Sequence, residues 1–325
     1  IMALIKTNAR GQSSNLGRRN MLINGDYQVW QRGTSGTVNM YMCDRWYGWG
    51  NQQALTQQQA DNQTHNSGRF ALRVAHNDAS ANTFSSIAQT LETNDTAKAR
   101  GKKLTFTIDV KKGSAFTGNL NLQIVERTDS EATINSGTRN ILITEDITSS
   151  LTTSLQRFTC TTTSTVAQGA RTIGVNVNHT GTSGTDANNF FQVERAQLEI
   201  GDIATDFETR SIGEELAACQ RYYQGFFNPQ LVGSRNTSTR LRIAASTTVD
   251  MRTTPSISRP SGTTVVFQGD GTGLSSTNTS PAQGTTASPR NIIMDLAGFT
   301  GAADRSYVGA ANYVTTIVFV ADAEI

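Results

Sequence analysis

The sequence is poor in hydrophobic residues, in charged residues and in proline. Of its 325 residues, 36% are hydrophobic and 17% are charged, five are proline, and the formal net charge is +2. Disordered chains combine low hydrophobicity with high net charge, so this composition excludes that class. No apolar run is long enough for a membrane-spanning helix, and we therefore expect no membrane insertion.

Cysteine is also scarce. Cys43, Cys160 and Cys219 give an odd number, without the C-x-x-C spacing of many metal and redox sites. This pattern predicts reduced, buried thiols in a protein made in the cytoplasm, where disulfides are rare. The first residues lack the apolar segment of a secretory signal peptide, which agrees with that expectation.

Clustered positive charge is missing as well. The sequence pI is about 8.5, and the basic pairs at residues 18–19, 102–103 and 111–112 are isolated from one another. Nucleic-acid binding proteins usually concentrate lysine and arginine in a patch or stripe. We therefore expect no nucleic-acid partner.

Motifs that mark common catalytic sites are absent. The sequence contains no G-x-S-x-G, H-E-x-x-H, Walker or G-x-G-x-x-G element. His65, His76 and His179 are far apart in sequence, which favours surface or structural roles. Asp129 and Glu131 are two residues apart, but nothing marks them as the carboxylate pair of a glycosidase. The sequence therefore predicts a protein that is not an enzyme.

What the sequence does contain is 28 glycines and many short segments in which apolar and polar residues alternate. Such alternation is found in residues 104–110, 120–124, 158–162 and 173–177. A period of two predicts strands with one buried and one wet face. Turn-rich segments separate them, and no βαβ pattern appears. We predict an all-β protein whose N-terminal part is an antiparallel, jelly-roll-like β-sandwich.

One segment has a strong helical pattern. Ser211 and Glu214 have the spacing of a capping box, and the apolar residues that follow recur at steps of three and four, on one face of a helix. The spacing predicts a helix over residues 212–223. We expect that face, formed by Ile212, Leu216, Cys219 and Tyr223, to pack on a domain or on symmetry-related copies.

The rest of the chain predicts a second β-rich unit. Residues 313–320 form the strongest β pattern and are apolar on both faces, which is typical of a central strand. Residues 275–289 are rich in serine and threonine and predict a long surface loop. The predicted parts are an extended N-terminal arm (1–18), the jelly-roll-like β-sandwich (19–208), a linking helix (209–224) and a smaller C-terminal β-domain (225–325).

Two blocks of sequence resemble a known family. Residues 20–33 read NMLINGDYQVWQRG and residues 41–46 read YMCDRW, which resembles the opening of the β-sandwich domains in bacteriophage tail-fibre and other virion proteins. Residues 197–201 (QLEIG), 205–208 (TDFE) and 212–223 (IGEELAACQRYY) resemble the segment that closes the same domain and opens the next. Carbohydrate-binding modules with a jelly-roll fold open with a similar Asn-Gly-x-Phe pattern.

The resemblance implies a virion structural protein that is made in the host cytoplasm. A tail-fibre or receptor-binding component, usually a homotrimer, is the first interpretation. It would join other virion proteins through residues 1–18 and contact a host surface glycan. A capsid-attached head fibre or decoration protein is one alternative. A glycan depolymerase is the second, although such enzymes usually show the repeats of a long parallel β-helix, which are not visible here.

Two sets of residues are candidates for binding. Aromatic side chains stack on sugar rings, and Trp49, Tyr47 and Tyr41 are the predicted glycan-binding residues. Trp30 and Trp46 belong to the family motif and are predicted core residues. Jelly rolls related to carbohydrate-binding modules often hold a structural calcium ion, for which Asp26 and Glu199 are the candidate carboxylates. No other cofactor is expected.

Overall fold

The chain forms two compact units in a computed structural model, which describes residues 18–37, 39–51, 54–59, 70–76, 84–181, 186–227, 232–237, 240–258, 265–269, 272–276, 281–297, 306–307 and 317–325. The first unit comprises residues 1–28, 35–40 and 46–210, and the second comprises residues 29–34, 41–45 and 211–325. The second unit thus takes two short segments from within the predicted sandwich region. All but the last residue of the predicted N-terminal arm lie outside the described residues.

The first unit contains two six-stranded sheets. One has the order β1 (Ser35–Thr37), β4 (Ala54–Gln59), β5 (Phe70–Ala75), β12 (Phe190–Ile200), β7 (Leu104–Lys112) and β10 (Gln156–Thr161). The other has the order β2 (Met40–Tyr41), β3 (Tyr47–Gly50), β6 (Phe84–Thr90), β11 (Thr172–Thr180), β8 (Asn119–Arg127) and β9 (Asn140–Asp146). A short helix that was not predicted, α1 (Thr93–Thr96), follows β6.

Successive strands of the first unit cross between the two sheets. β5, β6, β7 and β8 alternate between them, and so do β9, β10, β11 and β12, which is the connectivity of a jelly roll. The apolar residues of the alternating patterns form the core. Those with no exposed surface include Phe106, Ile108, Val110, Leu120, Leu122, Ile124, Val175 and Val177. The predicted antiparallel β-sandwich is confirmed.

The opening motif of the first unit lies alongside β12. The Met21 N–H donates to the Leu198 carbonyl (2.8 Å), and the Ala196 N–H donates to the Gly25 carbonyl (2.7 Å). Asn24 has a positive φ of 56°, and a Cβ atom on Gly25 would lie 2.3 Å from the Ala196 carbonyl oxygen. The Asn-Gly pair is therefore required by this close approach of two backbones. The two blocks that carry the family resemblance meet here.

The second unit begins with the helix α2 (Ile212–Gln220). Its capping box is formed as predicted, with the Ser211 hydroxyl accepting from the Glu214 N–H and the Glu214 carboxylate accepting from the Ser211 N–H, both at 3.3 Å. The helix ends three residues earlier than predicted because strand β13 begins at Tyr223.

The predicted apolar face of α2 is only partly buried. Cys219 is fully buried, whereas Ile212 is 62% exposed and Leu216 is 36% exposed. Glu215 is buried instead. Packing on a domain therefore accounts for Cys219 but not for Ile212 in the first turn of the helix, and packing on symmetry-related copies stays a prediction.

Three sheets complete the second unit. The first has the order β13 (Tyr223–Phe227), β22 (Ile317–Asp322) and β16 (Ser256–Ser258). The second has the order β19 (Pro281–Ala287), β20 (Asn291–Ala297), β15 (Arg240–Ser246), β14 (Val232–Thr237) and β21 (Ser306–Tyr307), and the third is the hairpin of β17 (Val265–Gly269) and β18 (Thr272–Ser276).

The strands of this unit bear on two predictions, a central strand and a long surface loop. The predicted central strand over residues 313–320 is β22, which is central in its sheet but begins at Ile317; residues 313–316 lie outside the described residues. The predicted loop over residues 275–289 is wrong, because β19 lies within it and pairs with β20. Strands at a sheet edge tolerate serine and threonine, so the serine- and threonine-rich composition of residues 275–289 was not a reliable sign of a loop.

A group of charged residues, of which Asp44 and Arg45 are buried and Arg32 and Glu324 are half-buried, lies within the second unit. We call this group the ion cluster. Arg32 donates to Asp44 (3.0 Å) and to Glu324 (3.2 Å), and Arg45 pairs with the other Glu324 oxygen. Arg32 and Arg45 of the opening motif therefore both hold Glu324, and Asp44 pairs with Arg32.

The three cysteines are buried, and none of them forms a disulfide. Burial raises the pKa of the Cys160 thiol to about 12, so this thiol is unreactive at neutral pH. In the part of the chain that the structure describes, no helix is long and apolar enough to cross a membrane.

Candidate functional site

The outer surface of the sheet that contains β3, β6, β11, β8 and β9 is unusual because its centre is both polar and buried. Since side chains alternate along a strand, the residues that point away from the sandwich core are the polar partners of the apolar core positions. We call this surface the polar face. Ser86 of β6 and Asn176 of β11 are 2% and 3% exposed, and Gln123 of β8 is 9% exposed.

The strand register places the residues of the polar face in two rows across the sheet. The first row consists of Tyr47, Ala88, Asn176, Gln123 and Thr144. The second row consists of Trp49, Ser86, Asn178, Asn121 and Asp146. Each row therefore has an aromatic side chain at one end and hydroxyl, amide or carboxylate groups at the other.

Hydrogen bonds link part of the first row, and one buried atom in each row has no partner among the described residues. The side-chain amide of Asn176 donates to the side-chain oxygen of Gln123 (3.0 Å). The side-chain amide of Gln123 in turn donates to the Thr144 hydroxyl (3.2 Å). The Asn176 Oδ1 and the Ser86 Oγ are buried without a hydrogen-bond partner among the described residues. A buried polar atom without a partner costs about 1–3 kcal/mol, so these atoms point to a ligand or ordered water.

The aromatic end of the polar face is held by β3. Tyr47 and Trp49 are half-buried and alternate with the buried Gly48 and Gly50. A Cβ atom on Gly48 would lie 2.2 Å from Leu55 in the opposite sheet, so glycine allows the two sheets to approach here. Both aromatic rings therefore keep part of their surface free of the core.

Trp49 also contacts Phe84 on the neighbouring strand. The two ring centroids are 5.2 Å apart and the ring planes are 83° apart, which is an edge-on contact. Edge-on packing fixes the indole while leaving ring surface for a second partner.

A loop over residues 128–139 covers one end of the polar face. Arg127 is buried and anchors this loop, because its guanidinium donates to both oxygens of Asp129 (3.0 and 2.7 Å) and to the Thr133 carbonyl (2.8 Å). Ile134 of the loop lies in a buried cluster with Ala88. Asp129 thus has a structural role, in agreement with the absence of a catalytic pattern around it.

The three residues predicted to bind glycan are not all together. Tyr47 and Trp49 lie on the polar face, whereas Tyr41, in β2 at the edge of the same sheet, makes its contacts within the second unit. There the Tyr41 hydroxyl donates to the Ile325 carbonyl (3.4 Å), and the Arg32 guanidinium lies 5.3 Å from its ring centroid. Burial raises the pKa of Tyr41. Its side chain is therefore engaged in holding the end of the chain.

The two predicted core tryptophans also differ from each other. Trp46 is 1% exposed, its ring centroid is 5.0 Å from that of Tyr27, and its Nε1 donates to the Asn24 carbonyl (2.9 Å). Its assignment to the core is confirmed. Trp30 is half-buried and belongs to the second unit.

The two carboxylates predicted to bind calcium, Glu199 and Asp26, lie in different environments. Glu199 accepts hydrogen bonds from the Thr205 N–H (2.8 Å), the Thr205 hydroxyl (2.7 Å) and the Gln197 amide (3.2 Å). Asp26 is buried. Among the described residues, no three or more histidine, cysteine, aspartate or glutamate side chains come together as a metal site. Calcium binding stays a prediction.

Two of the histidines meet, although their positions in sequence gave no sign of it. The rings of His76 and His179 are 4.1 Å apart and are buried. His179 lies on β11 between Asn178 and Thr180, with the opposite side-chain direction, so the pair belongs to the core side of the sheet. His65 lies outside the described residues.

Sequence reasoning found the aromatic end of the polar face and missed its amides. Asn119–Asn121–Gln123 and Asn176–Asn178 were visible as the polar partners of core strands. A run of amides at every second position, on two strands of the same sheet, is the signal that could have identified them. Only the strand register shows that they lie side by side.

Comparisons with known proteins give fold similarity only. No protein-family model and no curated protein matches the chain. Among solved structures, it is similar to the enzymatically active domain of tailspike protein 4 from bacteriophage CBA120, with 11% identity and a TM-score of 0.38 over 56% of this chain and 21% of that one. The match therefore spans about a fifth of the tailspike chain.

Two further similar structures match over nearly their whole length. They are the CBM22-1 xylan-binding domain of Paenibacillus barcinonensis Xyn10C (10% identity, TM-score 0.34, 57% of this chain and 96% of that one) and the Stig cyclase Fisc from Fischerella sp. TAU (12% identity, TM-score 0.39, 57% and 99%). At these TM-scores the similarities carry no argument about function, which has to be drawn from the residues of the site.

Proposed function

We propose that this chain is a non-catalytic glycan-binding protein and that the polar face is its binding site. The observation that carries the proposal is the pair of buried atoms, Ser86 Oγ and Asn176 Oδ1, that have no hydrogen-bond partner among the described residues, in a surface edged by the half-buried rings of Tyr47 and Trp49. Sugars present hydroxyl groups around the ring and apolar C–H groups on its faces. The polar face offers partners for both.

The polar groups suit sugar hydroxyls in particular. A carboxamide both donates and accepts hydrogen bonds, and so does a hydroxyl, so each can pair with a sugar hydroxyl in either sense. A ligand hydroxyl near Asn176 and Ser86 would satisfy the two atoms that no described residue pairs with. Stacking on an aromatic ring adds contact area with little loss of side-chain entropy.

We further propose that the glycan belongs to a bacterial host surface and that the protein is part of a phage virion, with residues 1–18 joining it to other virion proteins. The support is the sequence resemblance, strengthened by the contact between its opening and closing blocks along β12. A tail-fibre or receptor-binding component, assembled as a homotrimer, is the first interpretation. Immunogold labelling of particles with an antibody to this chain distinguishes the tail from a capsid-attached fibre.

Replacing Trp49 by alanine is expected to weaken glycan binding by about two- to tenfold, because an aromatic stacking contact contributes about 0.5–1.5 kcal/mol. Binding is measured by calorimetry with a ligand identified on a glycan array. Thr159→Ala, an exposed position on β10 in the opposite sheet, is the matched control and should bind as the unmodified protein does. Equal affinity of the Trp49→Ala variant would remove the polar face as the binding site.

The same array ligand tests the alternative of a depolymerase. A binding protein leaves the glycan intact, whereas a depolymerase releases reducing ends over time. Release of reducing sugar that is lost on replacing a single carboxylate would overturn the non-catalytic proposal.

A further inference from the structure

We infer that the polar face selects an uncharged glycan segment that lies across the strands, with one end against Trp49 and Tyr47. This inference rests on the proposed function and adds the chemical class and the orientation of the ligand. Its basis is the charge and the geometry of the two rows.

The rows contain almost no charge. Asp146, at the far end of the second row, is their single aspartate, glutamate, lysine, arginine or histidine residue. Hydrogen bonds from Thr148 lower the pKa of Asp146, so it is an anion at neutral pH. The surface that would meet a ligand is thus neutral at its centre and negative at one end.

The nearest cationic side chain along the strands, that of Arg127, already has hydrogen-bond partners within the protein. Arg127 follows the polar face on β8, but its guanidinium is occupied by Asp129, Ser130, Thr133 and Ser136, and the side chain is 4% exposed. It serves the loop over residues 128–139 and offers no charge to a ligand in the rows.

The charge of the polar face favours neutral glycans over glycans that contain uronates. Proteins recognise carboxylate and phosphate groups with arginine or lysine, in charge-assisted hydrogen bonds. A uronate placed on the polar face would lose its hydration without gaining such a partner and would be repelled by Asp146, which is unfavourable. Neutral sugar hydroxyls lose less on desolvation and can pair with Asn121, Asn178 and Ser86.

The rows also set the orientation and the length of the segment. Each row crosses five strands, from β3 to β9, and adjacent strands are about 4.8 Å apart, so a row spans about 19 Å, roughly four pyranose units in an extended chain. The aromatic rings lie at the β3 end of both rows. A linear glycan that follows a row therefore stacks one terminal unit on an aromatic ring and places the next units on the amides.

The test uses an array of neutral linear oligosaccharides of increasing length, together with the same backbones oxidised to uronates at C6. We expect neutral ligands to bind about tenfold more tightly than their uronate counterparts, with affinity rising until the chain has roughly four units and then levelling. Uronates that bind as tightly as neutral chains, and that lose affinity in the Trp49→Ala variant, would overturn the inference while leaving the proposed function intact.

A charge-introducing variant gives a second, independent readout. Asn178→Lys should raise the affinity for uronate chains by about tenfold and lower that for neutral chains, whereas Thr159→Lys on the opposite sheet should change neither. If Asn178→Lys alters neither affinity, the bound glycan does not lie on these rows and the inference is wrong. If neither type of chain binds the unmodified protein at all, the proposed function fails and the inference fails with it.

Discussion

Replacing Glu324 by alanine is expected to lower the free energy of unfolding of the second unit by about 3–5 kcal/mol, the usual cost of breaking a buried ion pair from one side. Glu324 lies far along the sequence from both arginines. Its carboxylate, however, pairs with both Arg32 and Arg45. Removing it leaves Arg45, which is 1% exposed, as a buried cation without its carboxylate.

Arg32 keeps Asp44 (3.0 Å) and Asp322 (3.6 Å) as partners when Glu324 is removed, so the loss falls mainly on Arg45. The Arg45 guanidinium lies 3.6 Å from the ring centroid of Tyr222, and that of Arg32 lies 3.7 Å from the ring centroid of Tyr223. Burial lowers the pKa of Arg45, but Glu324, Tyr222 and Tyr41 together raise it by more, so the pKa lies above its ordinary value. Both side chains therefore stay charged, and neither can relieve the loss of the carboxylate by releasing a proton.

Denaturant titration measures this effect, with Asp250→Ala as the control. Asp250 pairs with Arg290 at 3.3 Å, but the two side chains are 62% and 67% exposed, and exposed pairs contribute at most about 1 kcal/mol. A Glu324→Ala variant that is no less stable than Asp250→Ala would show that the ion cluster does not hold the second unit together.

The ion cluster also shows where prediction from sequence reached its limit. The Asp44-Arg45 pair was recognised as part of a family motif, but nothing near it in sequence indicates a partner 279 residues away. Local patterns carry information about neighbours along the chain, such as the Ser211–Glu214 capping box. Long-range ion pairs depend on topology, which local patterns do not contain.

The fold class, by contrast, was accessible because burial follows the period of the strand. Alternation in residues 104–110 and 173–177 predicted β7 and β11, with the correct residues in the core. Composition was the weaker guide. Serine and threonine suggested a loop over residues 275–289, and the pairing of β19 with β20 overrode that preference.

The candidate site was predictable in part for the same reason. Trp49 and Tyr47 are large aromatic residues in a glycine-rich strand, which is visible in sequence. The amides of Asn176 and Gln123 are 53 residues apart and become neighbours only through the β8–β11 register. A sequence shows which residues face outward on each strand, but it does not show which strands are adjacent.

Lowering the pH from 6.5 to 5 is expected to destabilise the first unit by about 2 kcal/mol through His76 alone. His76 and His179 are in ring contact in the core, beside Phe191 and Phe116. Burial, and secondly His179, lower the pKa of His76 to about 3. Burial also lowers the pKa of His179.

The direction of the effect follows from which state binds the proton. In the unfolded chain a histidine takes up a proton near pH 6.5, whereas in the folded protein His76 stays neutral until about pH 3. Between these values the unfolded state binds more protons, so the free energy of unfolding falls by about 1.4 kcal/mol for each pH unit. Above pH 6.5 both states are neutral and the contribution disappears.

Comparison with the His76→Gln variant isolates this contribution from the carboxylates, which titrate over part of the same range. Glutamine keeps a nitrogen near the position from which the His76 Nε2 contacts the Ser85 hydroxyl at 2.5 Å, and it does not titrate. Free energies of unfolding are measured by urea titration at pH 7.5 and at pH 5 for both proteins. The unmodified protein should lose about 2 kcal/mol more than the variant between the two conditions. Equal losses would mean that the buried histidine pair accepts a proton in the folded state, because only then would protonation fail to favour unfolding.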